Sequence, residues 1–298
     1  SCRLGPHQTY KWTSPGSEAP EFDFSPEGDR SSWLLDSEVI RRTVPEGLIE
    51  EQRDNLGNLS SFIYDRNHRY LVAKFQNGSK EGDEISYLGF EDYESDQGWS
   101  IGSGATVIPN AQFPEVDSHT GSKSLRLAPS SAGINGLSRT FKPRRQDQPY
   151  IFSAWVKKPK GFDSSKGNAS WQIRVAGGQP MTVQFPDIIG QWAYVYRIID
   201  MPAGSSAEVE ILGENANQSS YVLVDDLRFS PHHSIFEGYG YDTLFWQQNA
   251  VLGVNGEFSR TAYDEFQQPI VFTNNDDELS KIAVSYFSRQ GNQGLFSA

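Results

Sequence analysis

From Leu59 to Ser230 the chain is written in short runs of β-branched and aromatic residues, each cut off by Gly, Asn, Asp or Pro. The runs include "LSSFIYD", "RYLVAKFQNG", "ISYLGFE", "ATVIP", "KSLRLA" and "LSRTFK". They continue with "YIFSAWVKK", "SWQIRVA", "MTVQF", "WAYVYRIID", "AEVEIL" and "YVLVDDLRF". Turn-rich pieces such as "AGG", "PAGSS" and "ENANQSS" separate them. Runs this brief cannot carry the longer apolar period of a helix, and they read as hairpins. About ten of them at this spacing between Ile85 and Ser230 predict an all-β jelly-roll sandwich.

The segments on either side of that stretch resemble each other. "GNLSSFIYDRNHRYLV" begins at Gly57, and "GEFSRTAYDEFQQPIV" begins at Gly256. In each, Tyr-Asp follows the Gly by seven positions, and an aliphatic pair follows the Asp by six and seven: Leu71-Val72 and Ile270-Val271. A third pair, Tyr241-Asp242, lies 22 residues before Tyr263-Asp264, a spacing in the range of tandem repeats. The pattern is that of one repeated unit split by an insertion. Residues 59–80 and 240–290 are then expected to pair in one sheet, since the ends of a sandwich lie near each other. Tyr packs on a sheet face in such a unit, and Asp opens the turn by bonding its own backbone.

The 298 residues exceed one small domain, and an aromatic share of 13% supplies ample core. A net charge of −12 repels phosphate backbones, so no nucleic-acid partner is expected. The single cysteine, Cys2, excludes a disulfide framework within the chain. No run approaches the ~20 apolar residues of a membrane helix. The start lacks a charged and apolar leader, so a processed product or excised fragment is expected. The first 40 residues or so, rich in Pro, Ser and Gly, read as loop, and "VIRRTVPEGLIEEQRD" is ambiguous. His7, His68, His119, His232 and His233 show no metal-binding spacing. No nucleophile elbow, phosphate loop or dinucleotide fingerprint occurs, and the clusters at Glu91–Asp96 and Asp276–Glu278 read as charged turns; no enzyme is expected.

"DNLGNLSSFIYDRNHR" and "GVNGEFSRTAYDEFQQ" resemble the YD repeats of the RHS family. The Gly-Arg that usually closes the motif is replaced by Asn67-His68-Arg69 and Phe266-Gln267-Gln268. The resemblance implies a flanking β-sheet from a larger toxin shell or cell-surface stalk. The self-cleaving end motif of that family is absent, so no enzymatic release is carried over.

The central stretch is similar to carbohydrate-binding modules of the galactose-binding-like jelly-roll group. "GFEDYESDQGW", "HTGSKSLRL", "YIFSAWVKKP", "GQWAYVYRIIDMP" and "YVLVDDLRF" carry the likeness, in that order. It implies a structural calcium, with Glu91, Asp117 and Asp225 as the candidate metal residues. Alternation puts Asp225 on one face with Tyr221, Leu223, Leu227 and Phe229, and Asp226 opposite with Val222, Val224 and Arg228. A carboxylate among large apolar side chains needs a partner, either a basic side chain or a hard cation with oxygen ligands. Sugar binding needs flat aromatics beside polar groups. Trp155, on the polar side of its strand, and Tyr194 and Tyr196 are the candidate ligand residues; plain packing is the alternative for each. Trp171 reads as core and Trp99 as a structural plug.

The expected organisation is residues 1–84 as an extended segment plus repeat-like strands, 85–231 as the jelly roll, and 232–298 as further repeat-like strands. The expected function is a non-catalytic glycan-binding module of a larger secreted or cell-surface protein, binding carbohydrate or another surface polymer. The competing expectation is a structural or protein-interaction segment of an RHS-type toxin shell without a sugar ligand.

Overall fold

The computed structural model describes residues 8–12, 33–110, 117–127, 134–145, 148–166, 169–213, 221–274 and 279–282, and the fold is all-β. Before the central module come β1 (Gln8–Trp12), β2 (Trp33–Arg42), β3 (Ile49–Asp54), β4 (Leu59–Tyr64) and β5 (Leu71–Gln76). The module holds β6 (Ser86–Leu88), β7 (Ser100–Ile101), β8 (Ala105–Pro109), β9 (Lys123–Leu127), β10 (Ile134–Phe141) and β11 (Gln148–Lys157). It continues with β12 (Ala169–Val175), β13 (Met181–Gln184), β14 (Trp192–Met201), β15 (Ala207–Gly213) and β16 (Val222–Pro231). After it come β17 (Ile235–Tyr241), β18 (Gln248–Leu252), β19 (Phe258–Tyr263), β20 (Pro269–Thr273) and β21 (Leu279–Ile282).

Two antiparallel sheets form the sandwich: β13-β12-β15-β10-β7 against β14-β11-β16-β9-β8, with β6 also paired to β16. Alternation along each strand sends one apolar set inward. Phe152, Ala154 and Val156 of β11 meet Trp171 and Ile173 of β12 and Val209 and Ile211 of β15 in one core. Trp99 plugs its end, buried against Phe141 and Phe152 and donating its indole N–H to Ser86 Oγ at 3.1 Å.

The strands outside the sandwich form one ten-stranded sheet, β1-β2-β3-β4-β5-β17-β18-β19-β20-β21. β5 and β17, separated in sequence by the whole sandwich, pair antiparallel with Phe75 opposite Phe236. The first 40 residues are not all loop: Gln8–Trp12 is a strand, and β2 begins at Trp33. "VIRRTVPEGLIEEQRD" resolves into the β2–β3 hairpin.

The Tyr-Asp units repeat in three dimensions. The tyrosine hydroxyls of Tyr64, Tyr241 and Tyr263 donate to the carbonyls of Ile49, Leu71 and Gln248, each the first residue of the adjacent strand. Asp65, Asp242 and Asp264 accept backbone N–H groups within their own turns, which is the local bonding that makes Asp a turn opener. One residue of each turn, His68, Trp246 and Gln267, has a φ of 52°, 58° and 63°, where a glycine would be unstrained. A β-bulge follows each Tyr, leaving Val72, Asn249 and Ile270 as the extra residues of the ladders.

A second core lies between this sheet and the entry to the sandwich. Ile63, Val72 and Phe75 pack with Phe236, Leu252 and Phe258 against Ile85, Tyr87 and Tyr93. The connection after β5 is pinned by Arg139 to Asp83 at 2.7 Å and Arg145 to Glu84 at 2.6 Å.

Candidate functional site

The outer face of the β14-β11-β16 sheet carries the aromatic residues singled out in the sequence. Trp155 sits opposite Tyr194 in the β11–β14 ladder, and Tyr194 stacks towards Tyr196 at 6.0 Å between ring centroids. The row runs from covered to open. His119 stacks on Trp155 at 3.9 Å, and Phe258 of the flanking sheet approaches the same ring at 6.3 Å. Gly256 lies against Tyr194, where a Cβ would come within 2.7 Å of the ring. Tyr196 alone of the three is exposed, at 56%. Trp155 is on the outer face as alternation requires, but the flanking sheet covers it.

Asp225 does not share a face with Leu227 and Phe229. Between Ser153 and Trp155 the β11–β16 ladder slips by one residue, and Asp226 takes a φ of 49°. This bulge breaks the alternation. Val222 and Val224 precede it in the core and Leu227 and Phe229 follow it there. Asp225 is instead paired opposite Trp155, and its oxygens accept N–H groups from Asp226 at 2.8 Å, His119 at 2.8 Å and Thr120 at 3.3 Å.

Asp226, the weaker candidate by sequence, is bonded by three side chains where Asp225 is bonded by three backbone N–H groups. It accepts from the Tyr87 hydroxyl at 2.7 Å and the Thr120 hydroxyl at 2.7 Å, and it pairs with His119 Nδ1 at 2.5 Å. Glu91 accepts from the Ser122 and Lys123 N–H groups at 2.6 and 2.8 Å and from the Ser122 hydroxyl at 2.8 Å. Gly121 is required there, because a Cβ would sit 2.3 Å from the Glu91 carboxylate. Glu94, also buried, accepts from the Gly89 N–H at 2.6 Å.

Four acids thus share one buried neighbourhood beneath the 117–123 loop. Burial pushes the carboxyls of Glu91, Glu94 and Asp225 up, and the charge of Asp226 pushes Asp225 further. Burial pulls the imidazole of His119 down, against the pull of Asp226. Glu91 and Asp225 are close enough for the charge of one to raise the other. Asp117 stands apart, its carboxylate 56% exposed and bonded to Lys157 at 2.5 Å. Among the described residues, no three His, Cys, Asp or Glu side chains gather as a metal-ligand set. The carboxylate oxygens of Glu91 and Asp225 already accept N–H groups of the protein, and Asp117 does not join them.

A polar cleft of about 280 Å³ opens at the seam between the sandwich and the flanking sheet. Asn110, Asp117, Ser118 and Gly121 line it from the sandwich, and Asn249, Ala250 and Arg260 from β18 and β19. The motifs read in the sequence did not point to Asn110, Asn249 or Arg260. One signal was available: the position filled by Val72 and Ile270 in two units is Asn249 in the third.

No protein-family model matches the chain. "Salivary gland surface protein 1" of Aedes aegypti is 26% identical over 270 residues, which cover 87% of this chain and 8% of that protein. The chain therefore spans less than a tenth of the length of the curated relative it matches. Among solved structures, the CBM22-1 xylan-binding domain from Paenibacillus barcinonensis Xyn10C is 18% identical. That likeness covers 49% of this chain and 92% of that one, with a TM-score of 0.34. TmCBM61 in complex with beta-1,4-galactotriose is 15% identical, with coverage of 45% and 88% and a TM-score of 0.32. At these values the fold description rests on the strands themselves.

Proposed function

We propose that this chain is a non-catalytic glycan-binding segment of a larger secreted or surface protein. The observation that carries the reading is Tyr196, an exposed ring at the open end of the Trp155–Tyr194–Tyr196 row. A flat ring presented to solvent beside polar strand residues is the surface on which sugar C–H faces stack. The relative's name, a surface protein, supports the location, and its far greater length supports a larger parent. A structural calcium on Glu91 and Asp225 belongs to the same reading, because carboxylates buried this deeply are costly to ionise without a cation beside them.

Affinity electrophoresis in xylan, galactan and chitin-derived polymers tests it. The unaltered chain is expected to be retarded by at least one polymer, and Tyr196→Ala to weaken that binding about tenfold, the worth of one stacked ring. Retardation by none of them, or retardation untouched by the substitution, overturns the reading.

A second reading, a structural or protein-interaction segment such as part of a toxin shell with no sugar ligand, is favoured by one observation. Trp155 and Tyr194, two thirds of the aromatic row, are covered by Phe258 and Gly256 of the flanking sheet.

A further inference from the structure

We infer that the seam cleft is a second saccharide site, one that takes a single neutral sugar unit and exists only because the sandwich and the flanking sheet meet. The inference deepens the glycan-binding reading and rests on it, but it places the ligand away from Tyr196. Two acceptors carry it. Asn110 Oδ1 and Asn249 Oδ1 are both buried and both without a protein partner. Buried polar atoms are almost always bonded, so two orphans lining one cleft call for an external donor.

The orientation of Asn110 follows from its neighbours. Ser118 Oγ donates its proton to the Gly121 carbonyl at 2.8 Å, so it accepts from Asn110 Nδ2 at 3.0 Å. That bond leaves Asn110 Oδ1 as the free end of the amide. On the other wall, Asn249 is the extra residue of the β17–β18 bulge, and the bulge brings it to the same cleft as its neighbour Ala250. Gly240 keeps the wall open there, since a Cβ on it would lie 3.3 Å from Asn249 Oδ1 and 3.1 Å from the Ala250 Cβ.

The repeat supplies an independent argument. The equivalent bulge positions hold Val72 and Ile270, so the unit itself asks for an aliphatic residue. Asn249 departs from it only in the copy that borders the cleft. Such a departure from a locally consistent pattern marks function rather than stability.

The chemistry of the ligand follows from the charges. Arg260 lines the cleft and disfavours a cation, while the Asp117 carboxylate disfavours an anion. Two free acceptors between opposite charges suit hydroxyl groups, which donate and accept at once. A cleft of about 280 Å³ has room for one sugar ring and not for a chain of them.

The test is saturation-transfer NMR on the full chain with free galactose, glucose, mannose, xylose and N-acetylglucosamine. At least one is expected to bind. Asn249→Val and Asn110→Ala should each raise its Kd about tenfold or more. Asn249→Val restores the residue type of the repeat, so its melting temperature should hold or rise, which separates loss of binding from loss of fold. No binding by any of the five sugars, or equal binding by Asn249→Val, overturns the seam site. Polymer retardation through Tyr196 would still stand in that case. Free-sugar binding without polymer retardation would instead keep the seam site and remove the Tyr196 surface.

Discussion

His68, Trp246 and Gln267 occupy the left-handed region of the three Tyr-Asp turns, three, four and three residues after the Asp, and none of them is glycine. The turn Asp compensates by fixing the backbone from its side chain: Asp264 accepts the N–H groups of Phe266 and Gln268 at 2.9 and 2.8 Å. The strain remains, because a side chain in that region costs about 1–2 kcal/mol. Gln267→Gly should therefore raise unfolding stability in urea by roughly 0.5–1 kcal/mol, the relieved strain less the extra chain entropy of Gly. A loss of stability would mean that the turn is not strained. His68 is a less clean test, since its ring pairs with Glu46 at 2.9 Å.

Pairing of elements decides what the aromatic row can do. β19 contributes Phe258, whose ring meets His119 at 4.5 Å, and Arg260, which donates to the His119 carbonyl at 2.5 Å. Together they clamp the 117–123 loop over Trp155 and tie the flanking sheet to the sandwich. Phe258→Ala removes the buried ring of that clamp and should destabilise the chain by about 3–5 kcal/mol. A change below about 1 kcal/mol would show that the seam is loosely packed and that Trp155 is reachable from solvent. Each of the ten strand-like runs of the central stretch contains a strand, because alternation and turn residues are local signals. β1 and the start of β2 were not legible: their pairing comes from partners across a hairpin and not from an apolar pattern of their own.

For the whole molecule, the buried acids make stability depend on pH and on cations together. Glu91, Glu94 and Asp225 hold their protons more tightly folded than unfolded. Their contribution is full below the unfolded values of 4.5 for Glu and 3.8 for Asp, and it is lost as pH rises through the raised folded values. His119 acts in the opposite sense below its ordinary 6.5, where stability rises with pH. In chelator, the melting temperature should therefore fall as pH rises through the raised carboxyl values, with His119 opposing that fall only below 6.5. Calcium at neutral pH should restore it, and the restoration should vanish at pH values where the acids are protonated. A melting temperature indifferent to calcium at neutral pH removes the proposed ion; one indifferent to pH in chelator removes the burial of charge.

Local pattern by itself determined the all-β class, the sandwich strands, the inward and outward faces of β11, and the Asp-capped turns of the Tyr-Asp units; which face of β14 points inward it left open. Each of these depends on residues within a few positions of one another, where alternation and side-chain-to-backbone bonding act. Tertiary structure alone decided the slip at Asp226, which moved Asp225 to the outer face, and the covering of Trp155 by β19 and of Tyr194 by the turn before it. It also decided the convergence of Asn110 and Asn249 on one cleft. A bulge is set by which strand pairs with which, and a seam by how two sheets meet, so neither is written in the spacing of a single strand.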